Sequence, residues 1–123
     1  MSNERMRRVG YVSGSGRNYS LLEVDGNKFD TVSEKNRYLE LKRMENAGTV
    51  AELKCRPKWE IIPAQRTENG TLKSSHYTAD FSYIKDGKLV VEDVRNGRIY
   101  DIGEFRLKKK LMYLVHGILI DEI

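Results

Sequence analysis

The segment HYTADFSYIKDGKLVVEDVR, residues 76–95, most constrains the fold. Both halves read as strands, and Asp86-Gly87 between them suits a two-residue hairpin turn, whose central positions need positive φ. The pattern predicts an antiparallel pair. With a two-residue turn, Lys85 pairs with Lys88 and Tyr83 with Val90, and continuing that register sets Asp80 opposite Asp93. With one bulged residue, Asp80 instead meets Glu92. In either register a carboxylate faces a carboxylate across neighbouring strands, which destabilises a sheet unless something offsets it.

A divalent cation would offset it, and oxygen-only donors suit Mg²⁺ or a similar hard ion. Residues i and i+2 of a strand share a face, so Asp93 and Arg95 project together, joined by Asp80 in the first register. Two acids beside one cation suit phosphodiester hydrolysis. The ion would polarise the phosphate and activate water, and the cation would stabilise developing charge. The spacing equally allows Arg95 to neutralise Asp93 or Glu92 in a buried pair.

The surrounding chain predicts a small α/β domain. YSLLEVDGNKFD suggests a short hairpin around Asp25-Gly26. FDTVSEKNRYLELKRMENAG carries helix punctuation, with Thr31 and Glu34 as a capping box and Gly48 as the stop. Glu34, Tyr38, Leu41 and Glu45 share its inward stripe, so Glu34 could reach over the sheet as a third acid; as the capping partner of Thr31 it would be structural. VAELKCRPKWEIIPA predicts a strand bent or ended at Pro63, and QRTENGTLKSS a polar loop. EFRLKKKLMYLV predicts a helix with an apolar stripe of Leu107, Leu111 and Leu114. After Gly117, GILIDEI suits a buried strand, expected to run parallel to the 88–95 strand because a helix joins them. No internal repeat is visible.

Composition narrows the setting. A chain of 123 residues is long enough for one core, and no apolar run reaches the length of a membrane span. MSNERMRRVG lacks the apolar stretch of a secretory signal, and Cys55, the single cysteine, suits a reducing cytoplasmic interior. Cys55 with two distant histidines argues against structural zinc. The net charge of +4 is modest, but its distribution is uneven. Residues 1–20 read as a flexible basic arm carrying Arg7, Arg8 and Arg17, ahead of a single domain over 21–123. RLKKK groups Arg106, Lys108, Lys109 and Lys110. Both segments are candidate contacts to a phosphate backbone.

The element order αβββαβ, with Glu34 on the first helix, Asp80 and the triplet Asp93-Val94-Arg95, resembles the PD-(D/E)XK nuclease superfamily. The segments FDTVSEKNRYLELKRMENAG, CRPKWEIIPA, YTADFSYIKDGKLVVEDVRNG and FRLKKKLM are similar to a phage and prophage family known only as a domain of unknown function. The layout is also similar to that of small phage endonucleases that resolve Holliday junctions. The resemblance covers residues 24–123. It implies a restriction-endonuclease-like core with a mixed central sheet flanked by helices, and a metal-dependent DNA endonuclease acting on branched or structured DNA. Asp80 and Asp93 would be the principal ligands of Mg²⁺ or Mn²⁺, with Glu34 completing the site. The partner would be DNA read by structure rather than base sequence, and the enzyme a homodimer. Arg95 stands where the motif has lysine. Arginine can stabilise a phosphate but cannot act as a base at neutral pH. A substituting lysine, Lys88 or Lys110, or a catalytically impaired DNA-binding or regulatory protein, is therefore the alternative.

Overall fold

The computed structural model describes residues 22–96 and 98–123. The arm expected over residues 1–20, with Arg7, Arg8 and Arg17, lies outside the described residues. The chain divides into two compact units, residues up to 36 and residues 37–123.

In the first unit, strands β1 (Glu23–Val24) and β2 (Asn27–Lys28) form the predicted small hairpin. Asp25 and Gly26 turn it with φ of 54° and 80°. Buried Leu22 and Phe29 flank the hairpin, joined by a 2.9 Å bond from the Phe29 amide to the Leu22 carbonyl. Helix α1 (Val32–Asn46) begins in this unit and continues into the second. It ends where Gly48 was expected to stop it. Gly48 takes φ 81°, and the Thr49 amide donates to the Met44 carbonyl at 2.9 Å, closing off carbonyls the helix leaves unpaired.

The second unit is built on a four-stranded mixed sheet in the order β10-β9-β8-β3. These are β3 (Ala51–Cys55), β8 (Phe81–Lys85), β9 (Lys88–Asp93) and β10 (Asp121–Glu122). The β8–β9 hairpin has the two-residue turn, with Asp86 and Gly87 at φ 52° and 78°. Its register runs Lys85↔Lys88, Tyr83↔Val90 and Phe81↔Glu92, so the bulged alternative does not occur. Helix α2 (Ile102–His116) carries the chain to β10, which pairs parallel to β9 as the crossover connection predicts, but the expected buried strand is only the exposed pair Asp121–Glu122, with Ile120 buried just ahead of it. Among the described residues, no helix is long and apolar enough to cross a membrane.

Several other expectations need correction. The stretch 50–64 is two strands rather than one, β3 and β4 (Lys58–Ile62), broken at Arg56-Pro57. Pro57 has no N–H for a ladder, and Arg56 takes φ 57°. The segment 76–84 likewise splits into β7 (Ser75–Thr78), which pairs with β4, and β8, which pairs with β9 and β3. The breaks are stitched together: the Arg56 amide donates to the Asp80 carbonyl and the Ala79 amide to the Pro57 carbonyl, both at 3.0 Å. The expected polar loop contains an exposed hairpin, β5 (Gln65–Thr67) with β6 (Gly70–Leu72).

Helix α2 also buries a different face from the one expected. Phe105 and Met112, seven residues apart, face inward with partly buried Leu111, whereas Leu107 and Leu114 of the expected stripe are exposed. The helix has apolar residues around much of its circumference, so counting leucines does not identify the buried side. Phe105 and Met112 join Ile61, Tyr77, Ala79, Val91 and Ile120 in the core on one face of the sheet. On the opposite face, Tyr38 of α1 packs near Phe81 at 6.4 Å between ring centroids. Helices thus cover both faces, and β9 carries alternate side chains to each.

Candidate active site

At the end of β9 the pleat sends two adjacent buried carboxylates in opposite directions. Glu92, 1% exposed, turns toward α1. Arg37 donates to it through both Nε (2.8 Å) and Nη2 (2.5 Å), and the Tyr83 hydroxyl donates at 2.5 Å. Arg37 also bonds Glu40 at 2.7 Å. The Glu92 bond drives the Arg37 pKa above its ordinary value despite burial, and burial with the same carboxylate pushes Tyr83 up to about 12. Glu92 is therefore a fully engaged structural carboxylate, and Arg95 is not its partner.

Asp93 faces the α2 side. The buried Tyr77 hydroxyl donates to its Oδ2 at 2.7 Å. Burial first, and then this bond, raise the Tyr77 pKa, so the phenol stays a donor at any ordinary pH. Asp93 Oδ1 is buried and has no hydrogen-bond partner. Its nearest cations are Arg95 Nη1 at 3.6 Å and Arg98 Nη1 at 3.8 Å, close enough for charge attraction but too far for a hydrogen bond.

Asp80 sits in the break between β7 and β8, just past the last paired residues Phe81↔Glu92. Its amide donates to the Glu92 carbonyl at 3.1 Å, and its Oδ2 accepts from the Val94 amide at 2.7 Å. Both the Asp80 and Asp93 charges raise the Tyr77 pKa. The two-residue turn thus brings the two carboxylates to the same end of the sheet, around one phenol. Among the described residues, no three His, Cys, Asp or Glu side chains are grouped to hold a metal ion. The third predicted acid, Glu34, is 4% exposed at the start of α1 and makes capping contacts in the first unit. Its amide donates to Thr31 Oγ1 at 3.1 Å, and its Oε1 accepts from the Asp30 amide at 3.4 Å.

Arg95 is 9% exposed, with its guanidinium 3.9 Å from the centroid of the Phe105 ring. Asp101 accepts from Arg95 Nη2 at 2.5 Å and from Arg98 Nη2 at 3.1 Å. Burial works against the Arg95 charge, but the Asp101 bond and Asp93 outweigh it and raise its pKa. Asp101 is held below the ordinary carboxylate range, chiefly by Arg95. It stands at the N-cap of α2 yet makes no side-chain cap bond, because its oxygens are spent on the two arginines. Arg98, Asp101 and Tyr77 were not singled out from the sequence. The three-residue spacing 95-98-101 was the available signal for the first two, and nothing local marked Tyr77.

Tyr77, Asp93, Arg95, Arg98 and Asp101 line a cavity of about 220 Å³ that also includes His76 and Lys108, and Asp80 is not among its lining residues. Its cations, Arg95, Arg98 and Lys108, are matched by Asp93, Asp101 and Glu104. Among the basic residues predicted on α2, Lys108 pairs with Glu104 at 2.8 Å and Lys109 with Glu122 at 2.5 Å, while Arg106 and Lys110 are exposed. Lys110 lines a separate, mainly apolar hollow with Tyr113 and Leu119. Lys88 begins β9, five residues before Asp93 and so roughly 16 Å away along the strand. Neither substitute lysine lies in the cavity. Cys55 is partly buried in β3, where burial raises its thiol pKa, as befits a strand residue rather than a reactive one.

No curated protein and no solved structure matches the chain. Residues 17–117 match the model of a family described as "Protein of unknown function (DUF1064)", and the chain belongs to that family.

Proposed function

We propose that the chain is a divalent-metal-dependent DNA endonuclease with a restriction-endonuclease-like core, hydrolysing phosphodiester bonds in branched or structured DNA. The carrying observation is Asp93: a buried carboxylate with one oxygen lacking a hydrogen bond, beside two guanidiniums and at the same sheet end as Asp80. A buried acceptor without a partner costs about 1–3 kcal/mol, more when charged, and a cation removes that cost. The oxygen donors of Asp80 and Asp93 fit Mg²⁺ or Mn²⁺, ions commonly held by one or two carboxylates with water and substrate phosphate completing the shell. Such an ion supplies polarisation of the phosphate and an acidified water.

The chain's own groups have distinct tasks in this reading. Tyr77 orients Asp93 by fixing Oδ2 and leaving Oδ1 for the ion. Arg95 and Arg98 hold the phosphate and stabilise charge that grows on it, and Asp101 keeps both guanidiniums aimed. Exposed Arg106 and Lys110 would contact the DNA backbone without reading bases. Glu34 keeps its capping role with Thr31, and the reading takes its ligands from Asp80 and Asp93 alone. Symmetric cutting of a junction requires two sites, so a homodimer belongs to the proposal. The exposed apolar side chains Leu107, Tyr113, Leu114 and Leu119 are consistent with a covering copy.

The test is cleavage of branched and duplex DNA in Mg²⁺ by the wild type, Asp80→Ala and Asp93→Ala. Loss of cutting in both variants supports the reading; cutting at the wild-type rate by either overturns that residue's role. A second reading, a catalytically impaired DNA-binding or regulatory protein, is favoured by Arg95, which cannot supply a base and is held by Asp101 and Phe105. A large gain of cleavage in Arg95→Lys would mark the natural protein as tuned down.

A further inference from the structure

The segment after Arg95 leads from the cavity to an exposed aromatic ring. Tyr100 is 82% exposed, and its ring centroid is 5.7 Å from the Arg98 guanidinium. Arg98 also lines the cavity. It donates to the Val94 carbonyl at 3.3 Å and to Asp101, while its buried Nε has no hydrogen-bond partner. One guanidinium therefore connects a polar cavity to an aromatic face open to solvent.

A nucleotide of single-stranded DNA has matching parts. Its phosphate seeks guanidinium donors, and its unpaired base seeks a π-face, which a base stacked in a duplex cannot offer. We propose that the cavity and Tyr100 together bind one such unit, with phosphate against Arg98 and Arg95 and the base on Tyr100. This inference deepens the nuclease reading, on which it rests, by naming unpaired DNA beside the cleaved bond as the form recognised. With three cations matched by three carboxylates, the cavity has little net attraction for an anion at rest. Asp93 competes with the phosphate for the same two arginines. Neutralising Asp93 therefore strengthens binding of the strand.

The experiment measures anisotropy of a short labelled oligothymidylate, and of a duplex of equal length, with the full chain in EDTA. The wild type is expected to prefer the single strand. Tyr100→Ala weakens binding by about five- to a hundredfold, the range for losing a base stack, and Tyr100→Phe retains it. Arg98→Gln also weakens it, and Asp93→Asn tightens it. Tyr100 is exposed enough that its replacement leaves the fold intact, which circular dichroism checks. Equal binding of single strand and duplex, or a Tyr100→Ala variant that binds like the wild type, overturns the inference. Weaker binding by Asp93→Asn does so too. Cleavage in Mg²⁺ separates the two readings. Single-strand preference without any cutting sinks the nuclease reading alone, and cutting without that preference sinks this one alone.

Discussion

Glu92 and Asp93 are neighbours in sequence, comparably buried, and on opposite faces of one strand. Glu92 meets a guanidinium fork and a phenol, and both of its oxygens are engaged. Asp93 meets a phenol on one oxygen only, and two guanidiniums wait beyond hydrogen-bond range of the other. The difference separates two uses of a buried charge. A carboxylate with both oxygens engaged fixes a helix to a sheet, whereas one with an oxygen left over retains the capacity to bind something else.

The largest expected effect tests the open side. Asp93→Asn should lower Mg²⁺-dependent cleavage about a thousandfold, corresponding to several kcal/mol of barrier. It should leave the urea midpoint unchanged or raised, since it removes an incompletely satisfied charge. A collapse of stability instead would make Asp93 as structural as Glu92. On the closed side, Arg37→Ala should destabilise the fold by about 3 kcal/mol in urea unfolding, because Glu92 would be left buried without its cation. Little change there would remove the basis for the contrast.

Tyr77→Phe keeps the ring and deletes the orienting hydroxyl. It should reduce cleavage by about 10–100-fold, as loss of an outer-shell partner does, with weaker binding of Mn²⁺ by titration calorimetry. The smallest effect is that of Tyr83→Phe, about 1 kcal/mol at neutral pH. Its signature lies at alkaline pH. The folded state holds the Tyr83 proton up to about 12, against an ordinary value of 10.0. Between those values the unfolded chain binds fewer protons, so stability falls as pH rises. The variant should lose that part of the alkaline slope in urea titrations run from pH 9 to 12.

The features legible from sequence were the ones encoded over a few residues. Asp86-Gly87 set the hairpin register, and Thr31 and Gly48 marked α1, because turn and cap chemistry is local. That register brought Asp80 and Asp93 to one end of the sheet. The division of labour between Glu92 and Asp93 was not legible, since it depends on Arg37 and Tyr77, 55 and 16 residues away from them. The breaks at Arg56-Pro57 and Ala79-Asp80 were missed because strand-like patterning resumes on both sides. Pro57 was a signal that the alternation concealed. On α2, leucines occur on both sides of the helix, and only packing against Ile61 and Tyr77 selects Phe105 and Met112 as the inner pair.

The paired breaks have a consequence for how the chain can vary. Pro57 and Ala79 are clasped by a direct hydrogen bond, and the root strands β4 and β7 are tied into the core through Ile61 and Tyr77. The β5–β6 tip, Gln65–Leu72, is exposed throughout and leaves that root as a self-contained excursion. Lengthening, shortening or replacing the tip would add little closure entropy and disturb neither Asp80 nor Asp93. It is a graft point, where a foreign loop could alter what the protein meets while the carboxylates stay in register.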